Sequence, residues 1–199
     1  MKLIKYILLV VFTCACSKHG SNMTILEFNN FVNIPENGYI QELTFNKVKY
    51  SSKIELPQMI AINMLKADVI KKHELLDKVK QFNGKTNFVF TLSDSDGNSE
   101  IKKLIYNKED YNALVSYANT ALVDDFKLLL GTDTIPARIA HIESSNGIEP
   151  VVRISVGFSG LDSLKKDLTL IYNDRIFNNG PLKFYFTEEA LTNLPKLKL

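Results

Sequence analysis

The feature that most constrains this chain is its N-terminus, MKLIKYILLVVFTCACSKHG, because residues lost there cannot take part in any fold. Lys2 and Lys5 give a short basic start, Tyr6 to Phe12 is a compact apolar run, and the small residues Thr13, Cys14, Ala15 and Cys16 follow. Charge, then an apolar stretch, then small residues is the order of a cleaved secretory signal. The apolar run is far below the roughly 20 residues needed to cross a bilayer as a helix. Residues 1–15 are therefore expected to be removed. Residues 16–22 then form a small, polar tether, and residues 23–199 fold as one domain, with a possible subdivision near Gly131.

Two cysteines compete for the cleavage point. Cys16 follows Ala15, the small side chain signal peptidases accept, whereas Cys14 follows Thr13 and sits close to bulky Phe12. Cys16 is favoured. The segment resembles the lipobox of bacterial lipoproteins, with Thr13 in place of the usual leucine. The resemblance implies that the Cys16 thiol takes a diacylglycerol by thioether formation and becomes the new, acylated N-terminus. Each buried methylene contributes about 0.8 kcal/mol, so several acyl chains hold a protein durably where one does not. The implied location is a membrane, by lipid anchor, with the outer membrane favoured because Ser17 is not the aspartate associated with inner-membrane retention in enteric bacteria.

Processing also changes the charge. The chain carries 24 Lys and Arg against 22 Asp and Glu. Lys2 and Lys5 leave with the signal and no acid does, so the mature chain is neutral. The formal charge of +2 thus stops being an argument for nucleic acid or anionic surfaces, and no Lys/Arg run with interleaved aromatics points to nucleic acid. Both cysteines lie at the cleavage region, which leaves the body without a disulfide framework or a thiolate site. Packing has to supply the stability.

Hydrophobic periodicity predicts an α+β domain, mainly antiparallel sheet, with two substantial helices. Met23 to Ile34 carries β-branched and aromatic residues in rough alternation and is expected as a strand, closed by Pro35-Glu36-Asn37-Gly38. Tyr39 to Leu56 is expected as one long strand or two joined ones. A helix is expected from Pro57 to Phe82, although Met59 to Leu65 is apolar enough for a buried strand. Thr86 to Ser93 and Glu100 to Tyr106 flank Asp96-Gly97, a hairpin signal. A second helix carries Tyr111, Leu114, Val115, Ala118, Ala121 and Leu122, with Asn107 or Asp110 near its start. Further strands are expected at Phe126–Leu130, Ile135–Ile142, Val151–Phe158, Leu168–Tyr172 and Leu182–Phe186, and Thr187 is placed to cap a short final helix. Strands and helices do not alternate regularly, which disfavours a doubly wound parallel sheet.

The chemistry-bearing candidates are few. Asp94-Ser95-Asp96-Gly97-Asn98-Ser99-Glu100 clusters oxygen ligands without full calcium-loop spacing, and reads first as a solvated hairpin tip. Gly157-Phe158-Ser159-Gly160 approaches a nucleophile elbow but has Leu161 where the second glycine belongs; a hydrolase would need Ser159 with His141. His141 and Glu143 share a face if their segment is a strand, without a third ligand. Glu109-Asp110, Asp124-Asp125 and Glu188-Glu189 are adjacent acids that diverge on either a helix or a strand. The chain has no Trp, the best platform for stacking sugars. No catalytic, metal or cofactor site is assigned, and Cys16, for lipidation, is the one specific chemical site.

The final third resembles a loose group of exported lipoproteins of Bacteroidota. The matching residues are Gly131 to Pro136, His141-Ile142-Glu143, Gly147, Pro150, Leu170 to Asp174 and Phe177 to Phe184. The resemblance implies an exported lipoprotein and carries no activity. The expected role is a non-enzymatic accessory protein of the envelope that touches the membrane through its lipid and a protein through its domain. A ligand- or glycan-binding lipoprotein is the alternative, and a hydrolase comes third.

Overall fold

The computed structural model describes residues 22–66, 70–94, 107–143, 151–161 and 165–198. Among them, nine strands form two antiparallel sheets and five helices flank these, an α+β fold. The elements are α1 (Ile25–Val32), β1 (Ile40–Phe45), β2 (Val48–Glu55), α2 (Pro57–Leu65), α3 (Lys72–Gln81), β3 (Lys85–Asp94), α4 (Lys108–Thr120), β4 (Phe126–Leu130), β5 (Asp133–Pro136), β6 (Ile139–Ile142), β7 (Val152–Ser159), β8 (Leu168–Asp174), β9 (Gly180–Phe186) and α5 (Glu188–Thr192). One sheet runs β1-β2-β3-β7-β6 and the other β5-β4-β8-β9.

Period-two alternation turns one face of each sheet toward the other. Val48, Tyr50 and Ile54 of β2, Phe88, Phe90 and Leu92 of β3, and Ile154, Val156 and Phe158 of β7 are buried. They meet Phe126 and Leu128 of β4, Leu168, Leu170 and Tyr172 of β8, and Leu182, Phe184 and Phe186 of β9 in a single core. Phe90 is central, with ring centroids 4.8 Å from Tyr172 and 5.4 Å from both Phe126 and Phe184. Its contacts with Phe126 and Phe184 are edge-to-face, the arrangement aromatic quadrupoles favour. With no disulfide in the body, these rings hold the two sheets together.

Three expectations are corrected. Residues expected as a first strand form helix α1. Thr24 caps it: its Oγ1 accepts from the Glu27 amide, and the Glu27 carboxylate accepts from the Thr24 amide at 2.8 Å, a complete capping box. The core-facing residues Phe28 and Val32 are four apart, which suits a helix. The helix expected from Pro57 to Phe82 is two helices, because Lys66 takes a left-handed conformation (φ 46°, ψ 32°) and ends α2. The buried first half of that segment is helical, not a strand. The strand expected at Ile135–Ile142 is two strands in different sheets. Ala137 donates to Phe126 of one sheet and Arg138 to Gly157 of the other, so the chain changes sheets just after Pro136, which has no N–H for a ladder.

Elsewhere the expectations hold. Tyr39–Leu56 contains two strands, joined at Asn46-Lys47, both with positive φ (48° and 67°), the geometry of a tight two-residue hairpin turn. Asn107 caps α4 by accepting from the Asp110 amide, and Thr187 caps α5. β4 has the expected bounds, and β7, β8 and β9 match to within two residues. The strand expected at Glu100–Tyr106 lies outside the described residues. The chain enters the fold at a clip: Met23 bridges Leu197, its amide donating to Lys196 O and its carbonyl accepting from Lys198 N, both at 2.8 Å.

Candidate functional site

Three places gather polar or concave features. The first is a buried network at one end of the sandwich. Inward alternation along β8 continues from Leu168, Leu170 and Tyr172 to Asp174, which is 2% exposed. Asp174 Oδ2 accepts from the Tyr50 hydroxyl at 2.6 Å. Its Oδ1 accepts from the Tyr172 hydroxyl and from the amides of Ile176 and Phe177. Asn179 Nδ2 donates to the Tyr50 oxygen at 2.7 Å, and Asn46 Nδ2 donates to Asn179 Oδ1, which ties the β1–β2 hairpin to the β8–β9 loop.

Beside it, buried Asp125 accepts from the Tyr117 hydroxyl, while Arg175 places both Nε and Nη2 2.5 Å from its Oδ1. Burial, and then the neighbouring carboxylates, push the hydroxyls of Tyr50 and Tyr117 far up; Tyr172 is raised by the same causes. Every oxygen of the two carboxylates accepts from at least one protein donor, and the network fastens the β8–β9 loop. It also resolves Asp124-Asp125: Asp125 turns inward and Asp124 outward.

The second place is the outer face of the five-stranded sheet. His141 lies directly opposite Ser155, and Ile139 opposite Gly157. Glu143 accepts a hydrogen bond from the Ser155 hydroxyl and lies 3.6 Å from Arg153 Nε. Lys53 donates to Asn33 Oδ1 at 2.7 Å, and Glu55 accepts from Asn63 Nδ2 at 2.9 Å. Burial drives the Lys53 ammonium down and the Glu55 carboxyl up. The face is a mosaic of acids and bases, with Glu42 and Lys49 paired at 3.0 Å further along it.

His141 and Glu143 do share this face, as expected of a strand. Ser159 lies four residues along β7 from the position opposite His141, roughly 13 Å at strand rise. The two are not brought together, and the serine beside His141 is Ser155, already given to Glu143. Lys53, Glu55, Arg153 and Ser155 were missed in the sequence, although their alternation with buried neighbours on β2 and β7 marks them as outward.

The third place is α2, which has a hollow at each end. At its start, Leu56, Pro57, Val79, Leu161, Leu191 and Leu194 line a cleft of about 560 Å³ together with Gln58, Asn83 and Gly84. At its end, Thr24, Ile25, Leu26, Asn29, Ile62, Asn63 and Lys66 line an open groove of about 500 Å³. Nine helical residues separate them by roughly 14 Å. The C-terminal strand of residues runs between them, since Gln58 Nε2 donates to Pro195 O and Lys196 to Lys198 pair with Met23.

Cys16 and residues 95–100 of the acidic hairpin lie outside the described residues. Among the described residues no group of three His, Cys, Asp or Glu is arranged to hold a metal ion, and no helix is long and apolar enough to cross a membrane. One buried side-chain oxygen among them, Ser52 Oγ, has no hydrogen-bond partner, and nothing in the structure explains it. Comparison with protein families, with curated proteins and with solved structures found no match.

Proposed function

We propose that this chain is an exported, lipid-anchored protein of the bacterial envelope, held at the outer membrane through Cys16, whose domain is a non-enzymatic accessory that grips a protein partner. The contact is assigned to the cleft at the start of α2. Six apolar side chains from four separate parts of the chain converge there, with the Gln58 and Asn83 side chains beside them. An apolar floor with polar groups beside it is the arrangement that seats an anchor residue of a partner. The leader sequence supports export and anchoring. A second reading, capture of a small ligand, is favoured by the same cleft, because about 560 Å³ falls within the range of ligand pockets and two amides flank it.

The test places a photo-crosslinking residue at Gln58 in the anchored protein in cells. The expected result is one dominant protein adduct, lost when Leu194, half-buried in the cleft wall, is changed by Leu194→Glu. Binding of that adduct partner to the purified chain is expected to fall at least tenfold in the same variant, with the fold intact by circular dichroism. An adduct unchanged by Leu194→Glu would remove the cleft from the account. Absence of any adduct, with a thermal shift of several degrees on adding a sugar or small metabolite, would favour the ligand reading.

A further inference from the structure

We propose that the corner where the chain enters the fold is a membrane-seating surface: the groove between α1 and α2, with Leu26 at its wall and Lys66 and Lys198 beside it, rests on phospholipid that carries anionic headgroups. The inference deepens the lipid-anchor reading and rests on it.

Three observations carry it. The first is position. Met23 is clipped to Leu197, and the groove lining begins at the next residue, Thr24. Asn22 lies six residue steps along the chain from Cys16, a span of at most about 21 Å when fully extended. An acyl chain on Cys16 therefore holds this corner, before any other described surface, within that distance of the headgroups.

The second observation is the character of the surface. Leu26 is 70% exposed, the most exposed of the large apolar side chains in the described fold, while Phe28 and Val32 of the same helix are buried. Ile25 and Ile62 extend the apolar lining inward. A leucine displayed this way on a helix beside the tether is placed to dip into the headgroup and acyl boundary.

The third is local charge. The mature chain is neutral as a whole, so any attraction to an anionic surface must come from asymmetry. Lys66 lines the groove and Lys198 follows the clip. One acid at this corner, Glu27, accepts from the Thr24 amide and hydroxyl in the α1 capping box, with Lys198 near enough to lower its carboxyl further, and a second, Glu55, accepts from Asn63 of the groove. Glu27 keeps its charge but is occupied by the helix cap, and lysines within a Debye length of an anionic surface are attracted to it.

The absence of Trp makes the test clean, since one substitution gives a lone tryptophan reporter. The full acylated chain is prepared as Leu26→Trp and, separately, as Val115→Trp. Val115 is exposed on α4, which packs on β6 at the opposite edge of the five-stranded sheet from β1. Both are reconstituted into vesicles of phosphatidylethanolamine and phosphatidylglycerol with brominated acyl chains. The expected result is a blue-shifted Leu26→Trp emission quenched by half or more, and Val115→Trp emission unaffected. Adding Lys66→Glu and Lys198→Glu is expected to reduce that quenching at least twofold while the chain stays on the vesicles through its lipid.

Unquenched Leu26→Trp emission in a chain that sediments with the vesicles overturns the seating surface and leaves the anchor standing. A blue shift without quenching overturns it too, because protein rather than lipid then covers the leucine. A chain that carries no acyl group when isolated from cells overturns the anchor reading, and the seating proposal with it.

Discussion

Asp174→Ala is expected to destabilise the domain by about 4 kcal/mol, because it leaves several buried donors without an acceptor at once. The carboxylate is 2% exposed and accepts from the Tyr50 and Tyr172 hydroxyls and from the amides of Ile176 and Phe177. Each orphaned buried donor keeps a desolvation penalty of about 1–3 kcal/mol, and the four orphaned here are offset in part by no longer burying a charge. The conservative change separates charge from shape. In Asp174→Asn the Oδ1 position can keep its three partners, and only the Oδ2 position, facing Tyr50, turns from acceptor to donor. Tyr50 can accept from the new amide beside Asn179, but its own O–H then loses the acceptor it had in Oδ2. A cost of about 1–2 kcal/mol is expected for Asp174→Asn. Urea unfolding midpoints at constant m-value check the order. Equal effects for Ala and Asn would show that the charge, not the count of acceptors, dominates.

Alkaline unfolding is the second large effect. Tyr39 is pushed up to about 12 by burial, and Tyr50, Tyr117 and Tyr172 are all raised, first by burial and then, for these three, by carboxylate neighbours. In the unfolded chain all four release their protons near pH 10. Above that pH the folded state binds more protons than the unfolded one, so stability, complete below pH 10, falls as pH rises toward the folded-state values. Each group contributes a slope of up to about 1.4 kcal/mol per pH unit, and four together up to about 5.5 kcal/mol per pH unit. Against a net stability of about 5–15 kcal/mol for ordinary domains, that is enough to unfold this one between about pH 10 and 12. Phenolate absorbance and far-ultraviolet circular dichroism are expected to change together, and Tyr50→Phe to soften the slope by one share. Tyrosines that all titrate reversibly near pH 10, with dichroism unchanged, would contradict this.

These networks show what the sequence could and could not disclose. Asp174 continues the inward alternation of Leu168, Leu170 and Tyr172, but the expected strand ends at Tyr172, two residues short of it. Its partners were not legible, since Tyr50 and Asn179 are brought to it only when the two sheets face each other. The caps of α4 and α5 were legible because Asn107 and Thr187 each stand just before a helix with acids in its first turn. The capping box of α1 had the same form in Thr24 and Glu27, yet the β-branched and aromatic content around it favoured a strand. Pro136 marked a break that periodicity ran across: a strand's period does not say which sheet it joins.

The hollows at the two ends of α2 were the least legible part. The cleft at its start is assembled from residues 56–58, 79–84, 161 and 191–194, and no local spacing links them. The groove at its end joins α1, read as a strand, to a helix end read as mid-helix. Conversely, Ser159, singled out by a near match to a nucleophile elbow, and His141, singled out by its strand context, sit apart on an outer face.

Everything proposed for the domain is oriented by the N-terminal anchor. Met23 is fixed to the C-terminal residues, so a lipid on Cys16 would place the groove at the membrane and the partner cleft roughly 14 Å further along α2. The most direct measurement is mass spectrometry of the N-terminal peptide of the protein extracted from cell membranes. The expected peptide begins at Cys16 and is heavier than its sequence by a diacylglyceryl group with or without an amide-linked acyl chain, and Cys16→Ser is expected to lose the protein from the membrane fraction. An unmodified N-terminus at any residue, in a chain that still partitions to the membrane as Cys16→Ser, would contradict it.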